Sequence, residues 1–134
     1  MLFAWDVTIP ANTLESAPTL ETLKLSAGVI TNISVKFPAG CHGLVHIRLR
    51  HEEAQIYPVP RGEWVTGDGE TVPAEYHYDL GKASKELEFV GHSEGTSYAH
   101  VVTVRVTVLP AAIATPYQVL TDLVAIFKRM LGLK

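Results

Sequence analysis

Residues 101–110 read VVTVRVTVLP. Val102, Val104, Val106 and Val108 fall at every second position, with Thr103, Arg105 and Thr107 between them. Successive strand side chains point to opposite faces, so this rhythm describes a strand with one buried and one polar face. β-Branched residues fit such a pleated, half-buried surface. Pro110 ends the strand, because it has no N–H to give to a ladder.

The same rhythm extends back through the chain. Phe3, Trp5, Val7 and Ile9 alternate with Asp6 and Thr8, and Leu23 and Leu25 alternate with Thr22 and Lys24. Ala27-Gly28 allows a turn into Ile33, Val35 and Phe37. After a turn at Pro38–Gly43, Val45, Ile47 and Leu49 face inward, with His46, Arg48 and Arg50 outward. A short strand is expected around Gln55–Val59, and Pro58 places it at a sheet edge. Tyr76, Tyr78 and Leu80, then Leu87 and Phe89, continue the pattern. Residues 60–74 read as a loop around Trp64, with Asp68-Gly69 suited to a type I′ hairpin turn. Gly91–Thr96 reads as a turn-rich loop. The sum is about eight short strands with turn signals between most of them, which predicts an all-β antiparallel sandwich or jelly roll over residues 1–110. Nothing before Pro110 carries a helical period, which argues against βαβ units.

The period changes afterwards. Residues 111–115 read as a linker and 116–132 as a C-terminal amphipathic α-helix, with Thr115 as N-cap and Pro116 at the first helical position. Gln118, Thr121, Asp122, Ala125 and Arg129 form one stripe. Tyr117, Leu120, Leu123, Val124, Phe127, Met130 and Leu131 cover the rest, with Val119 and Ile126. This apolar arc is wider than a helix resting on a sheet needs. Three placements stay open: against its own domain, against another subunit or partner, or on a membrane surface.

Length and composition bound the function. The 134 residues suit one domain, and 47% apolar with 19% charged residues is not a disordered composition. A net charge of −3 makes no electrostatic case for nucleic acid. The single cysteine, Cys41, cannot form an internal disulfide or a thiolate zinc site. The N-terminal MLFAWDVTIP has no basic leader region and reads as the first strand. No apolar run is long enough to cross a bilayer, so neither a membrane nor a nucleic-acid partner is expected.

Chemistry-bearing residues do not assemble into a catalytic pattern. His42, His46, His51, His77, His92 and His100 have no spacing that forces metal ligands to converge, and they read as surface or loop histidines. Cys41 reads as a structural cysteine at a turn. Glu86 and Glu88 share a strand face and read as solvated, with His46, Arg48, Arg50 or Arg105 as cross-strand partners. No phosphate loop or nucleophile elbow occurs. No cofactor, metal or catalytic residue is expected, and the chain reads as a binding or structural protein. Trp64 stands either at a recognition surface or in a small satellite core beneath its loop. A carbohydrate- or ligand-binding module is the alternative function, with Tyr57, Trp64, Tyr76, Tyr78 and Tyr98 as a stacking platform.

Three stretches, VTIPANT (7–13), FPAGCHGLVHIRL (37–49) and YAHVVTVRVTVLP (98–110), resemble small β-sandwich proteins of tailed phages and related viruses. The resemblance covers residues 3–110 and leaves out the helix. It implies a virion structural protein: a capsid decoration, cement or fibre-like component, made in the host cytoplasm and located in the virion. It also implies a symmetric homo-oligomer, taken here as a trimer, bound to a capsid or tail protein. The interface expected from the residues is Trp64 with Tyr117, Leu120, Leu123, Val124, Phe127, Met130 and Leu131.

Overall fold

The computed structural model describes residues 1–110 and 116–132, and the side chains of 1–110 and 123–132. The expected linker, 111–115, and the side chains of Tyr117 and Leu120 lie outside the described residues. Eight strands run in chain order: β1 (Leu2–Ile9), β2 (Thr19–Lys24), β3 (Val29–Phe37), β4 (His46–His51), β5 (Ala54–Tyr57), β6 (Glu70–Asp79), β7 (Glu86–His92) and β8 (His100–Leu109). Among the described residues one helix, α1 (Pro116–Met130), follows. The fold is an all-β antiparallel sandwich.

The strands form two four-stranded sheets, ordered β1-β8-β3-β6 and β2-β7-β4-β5. Every connection between consecutive strands crosses from one sheet to the other except β4–β5. That interleaving is the jelly roll, in which two Greek keys share one core. β8 lies between β1 and β3. It matches β1 from Leu2↔Thr107 to Ile9↔His100, and β3 from Val29↔Leu109 to Lys36↔Thr103.

The alternating valines of β8 do what their spacing predicts: Val102, Val104 and Val106 are fully buried and Val108 nearly so. They meet Val7, Ile9, Ile33, Val35 and Phe37 from their own sheet, and Leu23, Ile47, Leu49, Leu87 and Phe89 from the other, in one core. Cys41 is fully buried in that core. Burial, and then the charge of Asp68, push its thiol pKa up, so it is held as a protonated, packed side chain. Ile30 and Ile33 both reach the core although they are an odd number of residues apart, because β3 carries a bulge between Ile30 and Asn32.

Two local expectations change. Asp68-Gly69 does not make a hairpin turn, because the strands on either side of it belong to different sheets. Gly69 alone has positive φ, and Asp68 Oδ1 instead accepts the Gly40 amide at 2.8 Å. The two-residue hairpin is at Glu52-Glu53, between β4 and β5, with φ of 49° and 70°. Positive φ at both central residues is the type I′ pattern, here without the usual glycine or asparagine. The segment expected as loop up to residue 74 is also shorter, because β6 starts at Glu70 and includes Pro73. β6 is an edge strand, where a missing N–H can face away from the ladder.

β7 likewise runs on through Gly91 and His92. Gly91 takes the inward position after Leu87 and Phe89, and its lack of a side chain makes room for two neighbours. A Cβ there would lie 2.8 Å from Ile9 Cδ1 and 2.8 Å from Phe89 Cε1. Gly91→Ala is therefore expected to lower stability by about 1–3 kcal/mol through overpacking, read from urea unfolding midpoints. An unchanged midpoint would show that the core can yield there.

Candidate functional site

Strand alternation brings one polar row of each middle strand to the outer face of the β2-β7-β4-β5 sheet. β4 presents His46, Arg48 and Arg50, and β7 presents Glu88, Val90 and His92. Register sets them opposite one another as His46↔His92, Arg48↔Val90 and Arg50↔Glu88. Arg50 Nη1 lies 3.3 Å from Glu88 Oε1, the cross-strand ion pair expected from the sequence. Both side chains are partly exposed, so the pair fixes register and contributes only about 0.2–1 kcal/mol.

The loop after β5 folds back over this face. Gln55 holds it: its Nε2 donates to the carbonyls of Pro58 (2.8 Å), Pro60 (2.9 Å) and Glu63 (3.2 Å), and its Oε1 accepts the Gly62 amide (3.2 Å). Val65 then exchanges both backbone hydrogen bonds with Ile47, at 2.9 and 3.0 Å. This pairing lays Trp64 on the sheet. The Arg48 guanidinium sits 4.0 Å from the centre of the Trp64 ring, and the His92 ring meets that ring edge-on at 4.5 Å. His46 stacks flat on His92, also at 4.5 Å.

Trp64 thus packs onto its own sheet as part of a second, smaller core, and remains half-exposed. Val90 points away from the main core yet is only 2% exposed. His92 is 6% exposed and, among the described residues, neither ring nitrogen has a hydrogen-bond partner; buried Arg48 Nε lacks one too. Two charge-capable groups are therefore held mainly by aromatic contact.

The histidines do not all lie on the surface or in loops. His51, His92 and His100 are buried. His51 ends β4, where its Nδ1 accepts the Tyr78 hydroxyl (2.7 Å) and its Nε2–H donates to the Ser84 carbonyl (2.6 Å). His92 belongs to β7 rather than to the following loop. The signal for it was the continued alternation Glu88, Val90, His92, masked by the glycine at 91. The aromatic residues do not form one platform. Tyr57 is in the main core, Tyr76 and Tyr78 pack against it, and Tyr76 donates its hydroxyl to the Ile56 carbonyl at 2.8 Å. Tyr98 is exposed beside His100.

The second candidate surface is α1. Leu123, Val124, Ile126, Phe127, Met130 and Leu131 are all exposed, from 46% at Val124 to 79% at Met130. The described part of the helix is therefore bare on every side. Gly132 closes it with φ of 71° and an amide donated to the Arg129 carbonyl at 3.2 Å. Lys128 and Arg129 lie in the last turn, where they complement the helix dipole.

Burial holds the His92 pKa below the ordinary imidazole value of 6.5, aided by the charges of His46 and Arg48 and opposed by Glu15 and Glu94. The unfolded chain then takes up a proton at this position before the folded one does, so stability is lost as pH falls below 6.5. Urea unfolding from pH 8 to 5 is expected to show a smaller loss in His92→Phe than in the parent chain. Equal losses would remove His92 from the titration.

No protein-family model matches the chain, and neither does the sequence of any curated protein. Among solved structures, the chain is similar to the crystal structure of FLHE, with 19% identity over 78% of this chain and 95% of that one, at a TM-score of 0.39. Likeness at this level carries no functional inference.

Proposed function

We propose that the chain is a non-enzymatic structural protein of a virus particle, a capsid decoration, cement or fibre-like component. It self-associates through α1 and attaches to a larger shell. The observation that carries this reading is the bare apolar helix. Burying a large apolar side chain contributes about 1.5–3 kcal/mol, against an association cost of about 4–15 kcal/mol, so roughly four or five such residues must be covered together. The helix offers six between Leu123 and Leu131.

The sequence pattern favours copies of the same helix as the cover. Tyr117, Leu120, Val124, Phe127 and Leu131 follow steps of three and four, the a and d positions of a heptad. Leu123 and Met130 widen that seam on one flank, Lys128 lies on the other flank, and Asp122 and Arg129 fall on the opposite stripe. A seam widened in this way serves two neighbours at once, which suits a closed ring of three helices better than a pair. The jelly-roll body supports the virion assignment, since this topology recurs in viral capsid domains. It recurs in lectins as well, and the helix is what favours assembly.

Analytical ultracentrifugation of the full chain is expected to give a trimer, and of the chain lacking 111–134 a monomer with unchanged core unfolding. Phe127→Glu should act like the deletion. A truncated protein that keeps the oligomer, or a full chain that stays monomeric, overturns the helix assignment. Imaging of the native assembly then tests location. Repeated copies on a symmetric shell or tail are expected, and a chain found free of any particle contradicts the virion part.

A further inference from the structure

Beside the Trp64 cluster, the outer face of the β2-β7-β4-β5 sheet carries an open groove of about 450 Å³. Arg48, Arg50 and Arg61 supply its cations, and Glu52, Glu53 and Gln55 lie among them. It runs on into a second hollow of about 230 Å³ that shares Arg50, Glu52 and Glu53, reaches Ser84 and Thr22, and is made acidic by Glu86 and Glu88, so the arginines that could meet an anion lie in the larger groove. The geometry points to a binding site for an acidic sugar, a saccharide bearing a carboxylate, in this groove.

Three features carry the assignment. First, Arg48 and Arg61 form no ion pair among the described residues, whereas Arg50 is engaged by Glu88. Arg48 is pre-positioned by its stack on Trp64, so little side-chain freedom is lost when it meets an anion. A planar guanidinium matches a carboxylate with two parallel hydrogen bonds.

Second, acceptors alternate with these donors. The left-handed turn at Glu52-Glu53 sets two carboxylates into the same groove, and the Ser84 amide donates to Glu52 Oε1 at 3.0 Å, which orients that side chain. Carboxylates accept from sugar hydroxyls, whereas the ionised oxygens of a polyphosphate have no hydrogen to give them, so a polyphosphate is a poor fit. Third, the larger hollow offers only Ala54 as an apolar side chain. A peptide would need apolar anchors there, and a saccharide does not. The groove lies on the jelly-roll body and does not depend on how α1 is used.

The test is isothermal titration of the full chain with trigalacturonate, with a neutral trisaccharide, sodium sulfate and an aspartate-rich peptide in parallel. Saturable binding of trigalacturonate is expected, weakened about tenfold or more in Arg61→Ala and in Arg48→Ala. Arg61 is exposed and outside the Trp64 stack, so its variant separates loss of binding from loss of fold. Absence of binding overturns the assignment, as does an unchanged affinity in Arg61→Ala. Equal binding of the neutral sugar, tighter binding of the peptide, or sulfate binding as tight as trigalacturonate would each overturn it too.

Discussion

β8 lies between β1 and β3, and this insertion constrains the rest of the molecule. Val102 pairs with Val7, and Thr103 donates its hydroxyl to Asp6 at 2.7 Å, so the two ends of the sandwich are locked into one sheet. The Met1 ammonium donates to the Val108 carbonyl at 2.7 Å and extends the same seam. Among the described strands only β4–β5 is a local hairpin, so the other pairings join distant parts of the chain. Such contacts bring little reward until the whole set forms, which makes the core cooperative and the body stiff. The stiffness is what lets short loops hold side chains at fixed distances.

The outer face of the second sheet follows from that rigidity. β4 and β7 are its middle strands, and their register fixes His46, Arg48 and Arg50 against His92, Val90 and Glu88. Gln55, on the edge strand, then needs only its amide to fold the next loop onto this row and bring Trp64 over Arg48. The resulting small core buries two polar groups without hydrogen bonds, an arrangement that costs stability. Its return is a guanidinium held in place at the end of a polar groove.

How far the sequence could be read follows from the same physics. Period-two alternation is a local property, so β8, β1 and β4 and most core residues were legible. Pro58 correctly placed β5 at an edge. Which sheet each strand joins is not local, so Asp68-Gly69 looked like a hairpin turn between strands that never pair. The true two-residue turn, Glu52-Glu53, has no composition signal, because register and packing rather than propensity force its positive φ. Gly91 broke the apparent strand and hid His92, although the same glycine is what the crowded core needs there. Trp64 was visible as a loop tryptophan, but its partners on β4 and β7 required the sheet order.

In the proposed assembly a cooperative jelly roll is joined to a helix whose apolar side chains are covered by another copy. The body and the helix should therefore respond differently to concentration. Hydrogen–deuterium exchange of the full chain tests this most directly. The amides of β8 should stay protected from dilute to concentrated protein, while those of Leu123–Met130 should exchange fast in dilute solution and slow as the concentration rises. Helix amides whose exchange is the same at every concentration would contradict the account.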